Sequence, residues 1–548
     1  MNRDERGWSV EVLVLATMAL LIALANIPFW REALAGRSAA DLGTWRFVAG
    51  TTVLLAAAQA VVVLLLATRA TVRPLLGLLI VASLVAQHLM QRYGVVLDPS
   101  MMRNALRTEV REASELVSPW LLVNAGIGAV AFAALCRVPI RRRTALAPAL
   151  GRRLAFVAGT AVVGVAALLL VFQDFSSTMR NQRELRYRIT PANLLYSTGR
   201  ALAADMRDAR RAREPLLPVH AASPAHGRKP RLLVMVVGET ARAMNFSLNG
   251  YARDTNPELA ALPVVNFTDV TACGTSTEVS VPCLFSSFGR ARYDEARIRA
   301  SESLPQLLAR AGLHVVWLDN QAGCKKVCAG LEFVDVSSGT DPRLCPGGEC
   351  LDGVLLDGLR RVVEAQGEAP ARDTVVVLHQ LGNHGPAYSK RYPREFAHFQ
   401  PECTKRELRE CSREEIVNSY DNAIRYTDHL LAQAVGMLQG WQQRFDVGLM
   451  YFSDHGESLG EKGLYLHGMP YAIAPREQLA VPMLWWFGGA GARGWDGVDA
   501  ACLRERARRP ARHDDIYHSV LGLMQIETPS YDAGSDLVGP CRRGGADG

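Results

Sequence analysis

Charge disappears for long stretches in the N-terminal third of the chain. Five runs carry no charged residue: Val12–Phe29, Phe47–Ala67, Pro74–Met90, Pro119–Cys136 and Leu154–Phe172. Each has about the length needed to cross the ~30 Å hydrocarbon core of a bilayer. One such run fits a buried helix of a soluble domain; five in succession point to a multi-pass membrane domain. The first is too long for a signal-peptide core and has no small-x-small cleavage pattern before Arg31, so it reads as an uncleaved anchor. Further along, the pattern changes. Leu232–Val237, His314–Leu318, Thr374–Leu378 and Gly448–Phe452 are short apolar runs with little alternation. They are interleaved with helix-like stretches such as Ser303–Ala311 and Glu414–Leu438. That combination predicts an α/β domain whose parallel strands are buried on both faces. Between the halves, Gln173–Pro230 is mixed helical and basic and ends in the connector "PLLPVHAASPAHGRKP". The expected organisation is a five-helix transmembrane domain over 1–172, an interfacial linker over 173–230 and a globular domain over 231–540.

Orientation follows from Lys and Arg in short loops. Arg137, Arg141, Arg142, Arg143, Arg152 and Arg153 lie between runs four and five with no acid among them, and Arg69 and Arg73 lie between runs two and three. Both loops fall on the side of the N-terminus, which makes that side cytoplasmic. Five crossings then place everything after Phe172 outside the cytoplasm. The cysteines test this independently. Of 11, Cys136 sits at a membrane-helix end and all others are in the external part: Cys273, Cys283, Cys324, Cys328, Cys345, Cys350, Cys403, Cys411, Cys502 and Cys541. An even set in an oxidising compartment reads as disulfides. A zinc ribbon from Cys324, Cys328, Cys345 and Cys350 is the rival, but its spacing is poor and oxidised thiols cannot ligate. Connectivity does not follow from sequence. Nearest-neighbour pairing is the simplest arrangement. The hydrophobic share of 49% and charged share of 21%, so unevenly distributed, exclude a disordered chain and a simple soluble enzyme. The net charge of +7 is mild and gives no reason to expect nucleic acid; basic residues facing anionic lipid are a better use of it.

The chemistry is concentrated just after the predicted strands. "GET" brings Glu239, "HQLGNHGP" brings His384, "SDHGES" brings Asp454 and His455, and "LHGMPY" brings His467. In an open α/β sheet the carboxyl ends of the strands form the ligand crevice. Four distant segments would thus deliver Glu, Asp and His to one place, a donor set suited to a divalent cation such as zinc. The segment "TACGTSTEVSVPCLFSS" adds Thr271, Thr275, Ser276, Thr277 and Ser280 around Cys273 and Cys283. A hydroxyl beside a divalent metal can ionise and attack phosphorus or sulfur, and a helix starting here would turn its N-terminus toward an anion. Residue chemistry alone does not choose among these hydroxyls, and supports only a metal-dependent hydrolase or transferase. In the external loop "MMRNALRTEVREASEL", Asn104, Thr108 and Glu112 have the i, i+4, i+8 spacing of one helix face. The plain reading of that face is an amphipathic interfacial helix. Arg180, Arg183, Arg186 and Arg188 in "MRNQRELRYRITPAN" could draw anionic lipid.

Four stretches, "VVGETARAMNFSLNGYARDTNPEL", "TACGTSTEVSVPCLFS", "LHQLGNHGPAY" and "YFSDHGESLGEKGLYLHGMPYAIAP", closely resemble the lipid A phosphoethanolamine transferases. The resemblance covers nearly the whole chain. It implies an alkaline-phosphatase/sulfatase-like catalytic domain in the periplasm, carried on five helices in the bacterial inner membrane. It implies Thr277 as nucleophile, activated by zinc held by Glu239, Thr277, Asp454 and His455, with a second zinc held by some of the residues around the phosphoryl group. It places Lys325, His384 and His467 around the phosphoryl group, the histidines as acid or base, and Asn104, Thr108 and Glu112 on the donor head group. The implied reaction moves phosphoethanolamine from phosphatidylethanolamine to lipid A, releases diacylglycerol and lowers susceptibility to polymyxin and other cationic peptides. A monomer without nucleic acid is expected. The nearest alternative is the same chemistry on another acceptor, an inner-core lipopolysaccharide sugar or a glycan. A sulfatase would need Cys or Ser in a C/S-x-P-x-R context, which "VPCLF" is not. Two departures from the family pattern are Glu278, an added negative charge beside the nucleophile, and Asn383 before His384.

Overall fold

The computed structural model describes residues 7–108, 110–141, 146–211, 214–221, 229–339, 341–346, 349–405, 407–489 and 495–542. The chain divides into two units, one comprising Met1–Arg107 and Val117–Ala203, the other Thr108–Leu116 and Ala204–Gly548.

The first unit is helical. Among the described residues, four of its helices are long and apolar enough to span a membrane: α3 (Leu42–Leu66), α4 (Val72–Tyr93), α7 (Pro119–Arg137) and α8 (Leu146–Asn181). The first expected span is instead a bent pair, α1 (Val10–Leu24) and α2 (Ile27–Ala33), with 60° between them. The bend has a local and a distant cause. Pro28 cannot donate a backbone hydrogen bond across the break. Buried Asn26 donates its side-chain amide to Leu21 O and Thr190 O, and its Oδ1 accepts from Thr190 N at 2.7 Å. α8 continues to Asn181, beyond the expected end at Phe172, and its 36 residues make it longer than the hydrocarbon core requires.

Within this unit, α3 packs on α8 and α4 on α7. Close approach depends on small residues: a Cβ at Gly77 would strike the Phe132 ring, and one at Gly50 would strike Val171. The basic loops meet at one end. Arg73 donates to Val138 O, Arg153 to Ala67 O and the Trp8 amide to Pro139 O. Arg142 and Arg143 lie outside the described residues. The loop after α4 holds two short helices, α5 (Pro99–Arg107) and α6 (Val110–Glu115), with Thr108 in neither. The single polar face expected for Asn104, Thr108 and Glu112 is therefore not on one continuous helix. Continuing α5 would add Arg111 to Arg103 and Arg107, which already stand i, i+4 on that helix, and like charges at this spacing oppose it. The side chain of Glu112 lies outside the described residues. The expected linker contains a 3-10 turn at Arg183–Arg188 and helix α9 (Ala192–Arg210).

The second unit is built on a seven-stranded sheet: β1 (Arg231–Gly238), β2 (Val265–Phe267), β3 (His314–Asp319), β4 (Glu332–Asp335), β5 (Thr374–His379), β6 (Asp446–Ser453) and β7 (Met483–Phe487). Their spatial order is β2–β7–β6–β1–β5–β3–β4. The four strands expected from the apolar runs are the contiguous parallel centre, β6–β1–β5–β3. Every residue of β1 and β5 is buried, as central strands covered on both faces require. The register sets Gly238 opposite Ser453 and both Val237 and Asp319 opposite His379, so the segments after β1, β6, β5 and β3 leave the same edge of the sheet. Helix α10 (Thr277–Leu284) starts at the hydroxyl-rich loop, and α11 (Arg413–Gly440) begins with a capping box between Ser412 and Glu415.

All five nearest-neighbour disulfides form: Cys273–Cys283, Cys324–Cys328, Cys345–Cys350, Cys403–Cys411 and Cys502–Cys541. The four short closures contribute about 2–3 kcal/mol each on the loop-entropy account, and the longer Cys502–Cys541 loop somewhat more. Cys136 is free and exposed.

Candidate active site and metal centre

Glu239 leaves β1 one residue past its end, and Asp454 and His455 leave β6 the same way. Their ligand atoms lie within 4.8 Å of one another, and all three residues are buried. His455 Nε2 is 3.3 Å from Glu239 Oε1 and 3.5 Å from Asp454 Oδ2. The turn that presents Glu239 is tightly specified. Thr240 takes φ of 52°, a left-handed conformation that a β-branched residue resists. It is held by the Tyr420 hydroxyl donating to its carbonyl and by its own N–H donating to Asp454 Oδ1. Gly382 packs from the other side, where a Cβ would come within 2.8 Å of Glu239 O. Gln321, just after β3, donates to Glu239 Oε2 at 2.9 Å.

The hydroxyls separate by geometry. Thr275 donates to Met469 O, and Ser280 donates to Asp454 O, so both brace loops. Ser276 is the N-cap of α10. Thr277 is the first residue of that helix, and its Oγ1 lies 3.0 Å from Glu239 Oε2 and 3.5 Å from His455 Nε2. It thus sits where three ligand atoms and a helix N-terminus converge.

These residues suit a divalent cation. His455 Nδ1 faces Gly456 O at 2.9 Å, which keeps the proton on Nδ1 and leaves the Nε2 lone pair directed at the two carboxylates. Asp454 Oδ2 is buried with no hydrogen-bond donor among the described residues, an orphaned acceptor that a metal would satisfy. Burial, and then repulsion from Glu239, push the Asp454 carboxyl up to about 7. Burial alone would lower the His455 imidazolium, but Asp454 and Glu239 outweigh it and raise it to about 10. Without metal, protons must occupy this cluster, so a metal binds by displacing them. Zinc titration at pH 8 should release about one proton, from His455, and more below pH 7, where Asp454 is protonated as well. Apparent affinity should climb with pH up to about 10. Calorimetry in two buffers of different ionisation enthalpy checks this; buffer-independent heats would contradict it.

His384 and His467 face each other beside the cluster, with ring centroids 5.6 Å apart, and His467 is 4.4 Å from the His455 ring. Glu457 orients His467. It accepts from His467 Nδ1 at 2.8 Å and from the Tyr388 hydroxyl at 2.7 Å, which fixes the His467 ring and keeps the proton of its neutral form on Nδ1. Glu457 stands inside "SDHGES" and Gln321 just after β3, and no sequence spacing marks either. Lys325 is on the Gln321 loop with φ of 49°, and its ammonium bonds Ala322 O rather than the cluster. Asn383 is a brace: its N–H donates to Glu239 O and its amide to Tyr420 O. Glu278 pairs with the buried Arg299 side chain at 2.6 Å, which also meets Glu295 at 3.1 Å. Beneath the site, buried Asp319 and His379 pair at 2.7 Å.

The sulfatase family model matches residues 231–526, and the model described as phosphoethanolamine transferase EptA/EptB matches residues 55–206. Phosphoethanolamine transferase EptA of Escherichia coli K12 is 38% identical over 488 residues, with 86% of each chain covered. The chain belongs to the EptA/EptB phosphoethanolamine transferase family. Phosphatidylethanolamine transferase Mcr-1 from Escherichia coli is another member-like relative, 37% identical over 88% of this chain and 90% of its own. Among solved structures, the integral membrane lipooligosaccharide phosphoethanolamine transferase A (EptA) from Neisseria meningitidis superposes with a TM-score of 0.90 at 34% identity, covering 97% of this chain and 98% of that one. Membership of the EptA/EptB family agrees with both halves of the chain: membrane-spanning helices first, then a sulfatase-like domain.

Proposed function

We propose that this chain transfers phosphoethanolamine from phosphatidylethanolamine to a phosphate of lipid A through a covalent adduct on Thr277. The observation that carries the reading is the placement of Thr277 Oγ1 at the head of α10, 3.0 Å from Glu239 and beside His455. Glu239, Asp454, His455 and Thr277 would hold zinc, which suits mixed O and N donors. When bound, zinc supplies positive charge that favours the ionised hydroxyl and offsets charge on the phosphoryl oxygens.

In the first step, Thr277 Oγ1 bonds to phosphorus and the bond from phosphorus to the glyceryl oxygen breaks. Diacylglycerol leaves, taking a proton from one of His384 and His467, and the other takes the hydroxyl proton of Thr277. Glu457 keeps His467 in the orientation needed to give or take a proton at Nε2. In the second step, a lipid A phosphate oxygen attacks the adduct and Thr277 Oγ1 is released. Asn104, Thr108 and Glu112 are the proposed donor head-group residues, with Lys325 near the phosphoryl group. The end of the helical unit where Trp8, Arg73 and Arg153 meet would face the cytoplasm, and the disulfide-bonded domain the periplasm. The product carries an added ammonium, which weakens attraction for polymyxin and other cationic peptides.

Mass spectrometry of lipid A from cells expressing the chain tests the function. The expected product is lipid A with one phosphoethanolamine added. Unmodified lipid A with phosphoethanolamine on a core sugar instead would move the activity to the alternative acceptor.

A further inference from the structure

The segment Thr108–Leu116 belongs to the catalytic unit, although the chain on both sides of it belongs to the helical unit. Its helix α6 has six residues, too short to hold itself together in water. What secures it is a buried ion pair. Glu115 Oε2 lies 2.5 Å from Arg391 Nη2, and the two side chains are only 5% and 1% exposed. Arg391 is a hub. Its Nη1 meets Glu349 Oε1 at 2.8 Å, and its Nε donates to the backbone carbonyl of His384 at 2.7 Å. Lys390 lies 3.6 Å from the other oxygen of Glu115, so two acids and two bases balance. A carboxylate is withdrawn from water in this way only where a well-placed partner compensates it. Nothing in "TEVREASEL" marks Glu115 as different from Glu109 or Glu112.

We propose that Glu115 is a positioning residue that moors the donor-binding loop to the catalytic domain through Arg391. The proposal rests on the reading of Thr108 and its neighbours as donor head-group residues. The ion pair fixes Thr108, seven residues away on the same moored segment, relative to the domain that carries Thr277. Removing the Glu115 charge leaves Arg391 with Glu349 and the His384 carbonyl, so His384 stays in place and the loop is released. The effect therefore falls on donor binding rather than on the chemical step.

The test uses the full chain in detergent micelles with zinc and fluorescent phosphatidylethanolamine. Glu115→Gln should raise the donor KM about tenfold while kcat stays within about twofold, since one charge-assisted contact is lost. Hydrogen exchange of the peptide covering 108–116 should speed up in the same variant. Glu115→Asp should recover part of both, and Glu349→Gln should leave exchange of that peptide slow. Unchanged exchange in Glu115→Gln would overturn the mooring. Faster exchange with unchanged KM, or a fall in kcat and melting temperature at unchanged KM, would overturn its link to the donor. If the wild-type chain does not turn over phosphatidylethanolamine, the donor reading itself fails, and exchange alone decides whether Glu115 moors the loop.

Discussion

Thr277→Ala should abolish transfer, lowering kcat by about 10⁴-fold or more, as loss of a covalent nucleophile does elsewhere. The variant should still fold. Thr277 contributes one hydroxyl to the cluster, whereas the loop around it is braced by Thr275 on Met469 O, Ser280 on Asp454 O and the Cys273–Cys283 bridge. Thr277→Ser should keep measurable activity, because the attacking oxygen survives and only a methyl group is lost. Thr275→Ala should be milder than Thr277→Ala, acting through the loop. Steady-state rates on fluorescent phosphatidylethanolamine, with melting curves for each variant, separate these outcomes. Near-normal transfer by Thr277→Ala would remove the nucleophile from the account.

Asp454→Asn should weaken zinc binding by at least about 100-fold, more than the loss of a residue that merely orients a ligand. The amide keeps an oxygen to accept from the His455 and Thr240 N–H groups, as Oδ1 does now, so the turn is preserved. The same change should raise the melting temperature of the metal-free protein. It removes a buried carboxyl that burial and Glu239 push up to about 7, and with it the repulsion inside the cluster. The sign follows from linkage. A carboxyl raised in the fold costs stability above its unfolded value near 4, and that cost grows as pH rises toward 7. The stabilisation by asparagine should therefore be larger at pH 8 than at pH 5. Zinc retained at wild-type affinity would show that Asp454 is not a ligand.

Much of this architecture is legible along the chain because two strong patterns carry it. Uncharged runs of membrane length have few other uses, and the central strands, buried on both faces, read as continuous apolar stretches. The weaker elements escaped for physical reasons. β4 has a largely exposed edge containing Glu332 and Asp335, and β2 has only three residues. The bend at Asn26 depends on Thr190, 164 residues away. The candidate ligands were legible because strand ends deliver Glu239, Asp454 and His455 to one edge. Glu457, Gln321 and Arg391 were not, since their importance lies in hydrogen bonds to His467, Glu239 and the His384 carbonyl respectively, which no local spacing encodes.

The covalent step is tested most directly by trapping it. Zinc-loaded protein incubated with phosphatidylethanolamine, without acceptor, should be quenched, digested and sequenced by mass spectrometry. A single phosphoethanolamine group on Thr277, absent from Thr277→Ala, is the predicted result. An adduct on another residue, or release of diacylglycerol with no adduct at all, would contradict it.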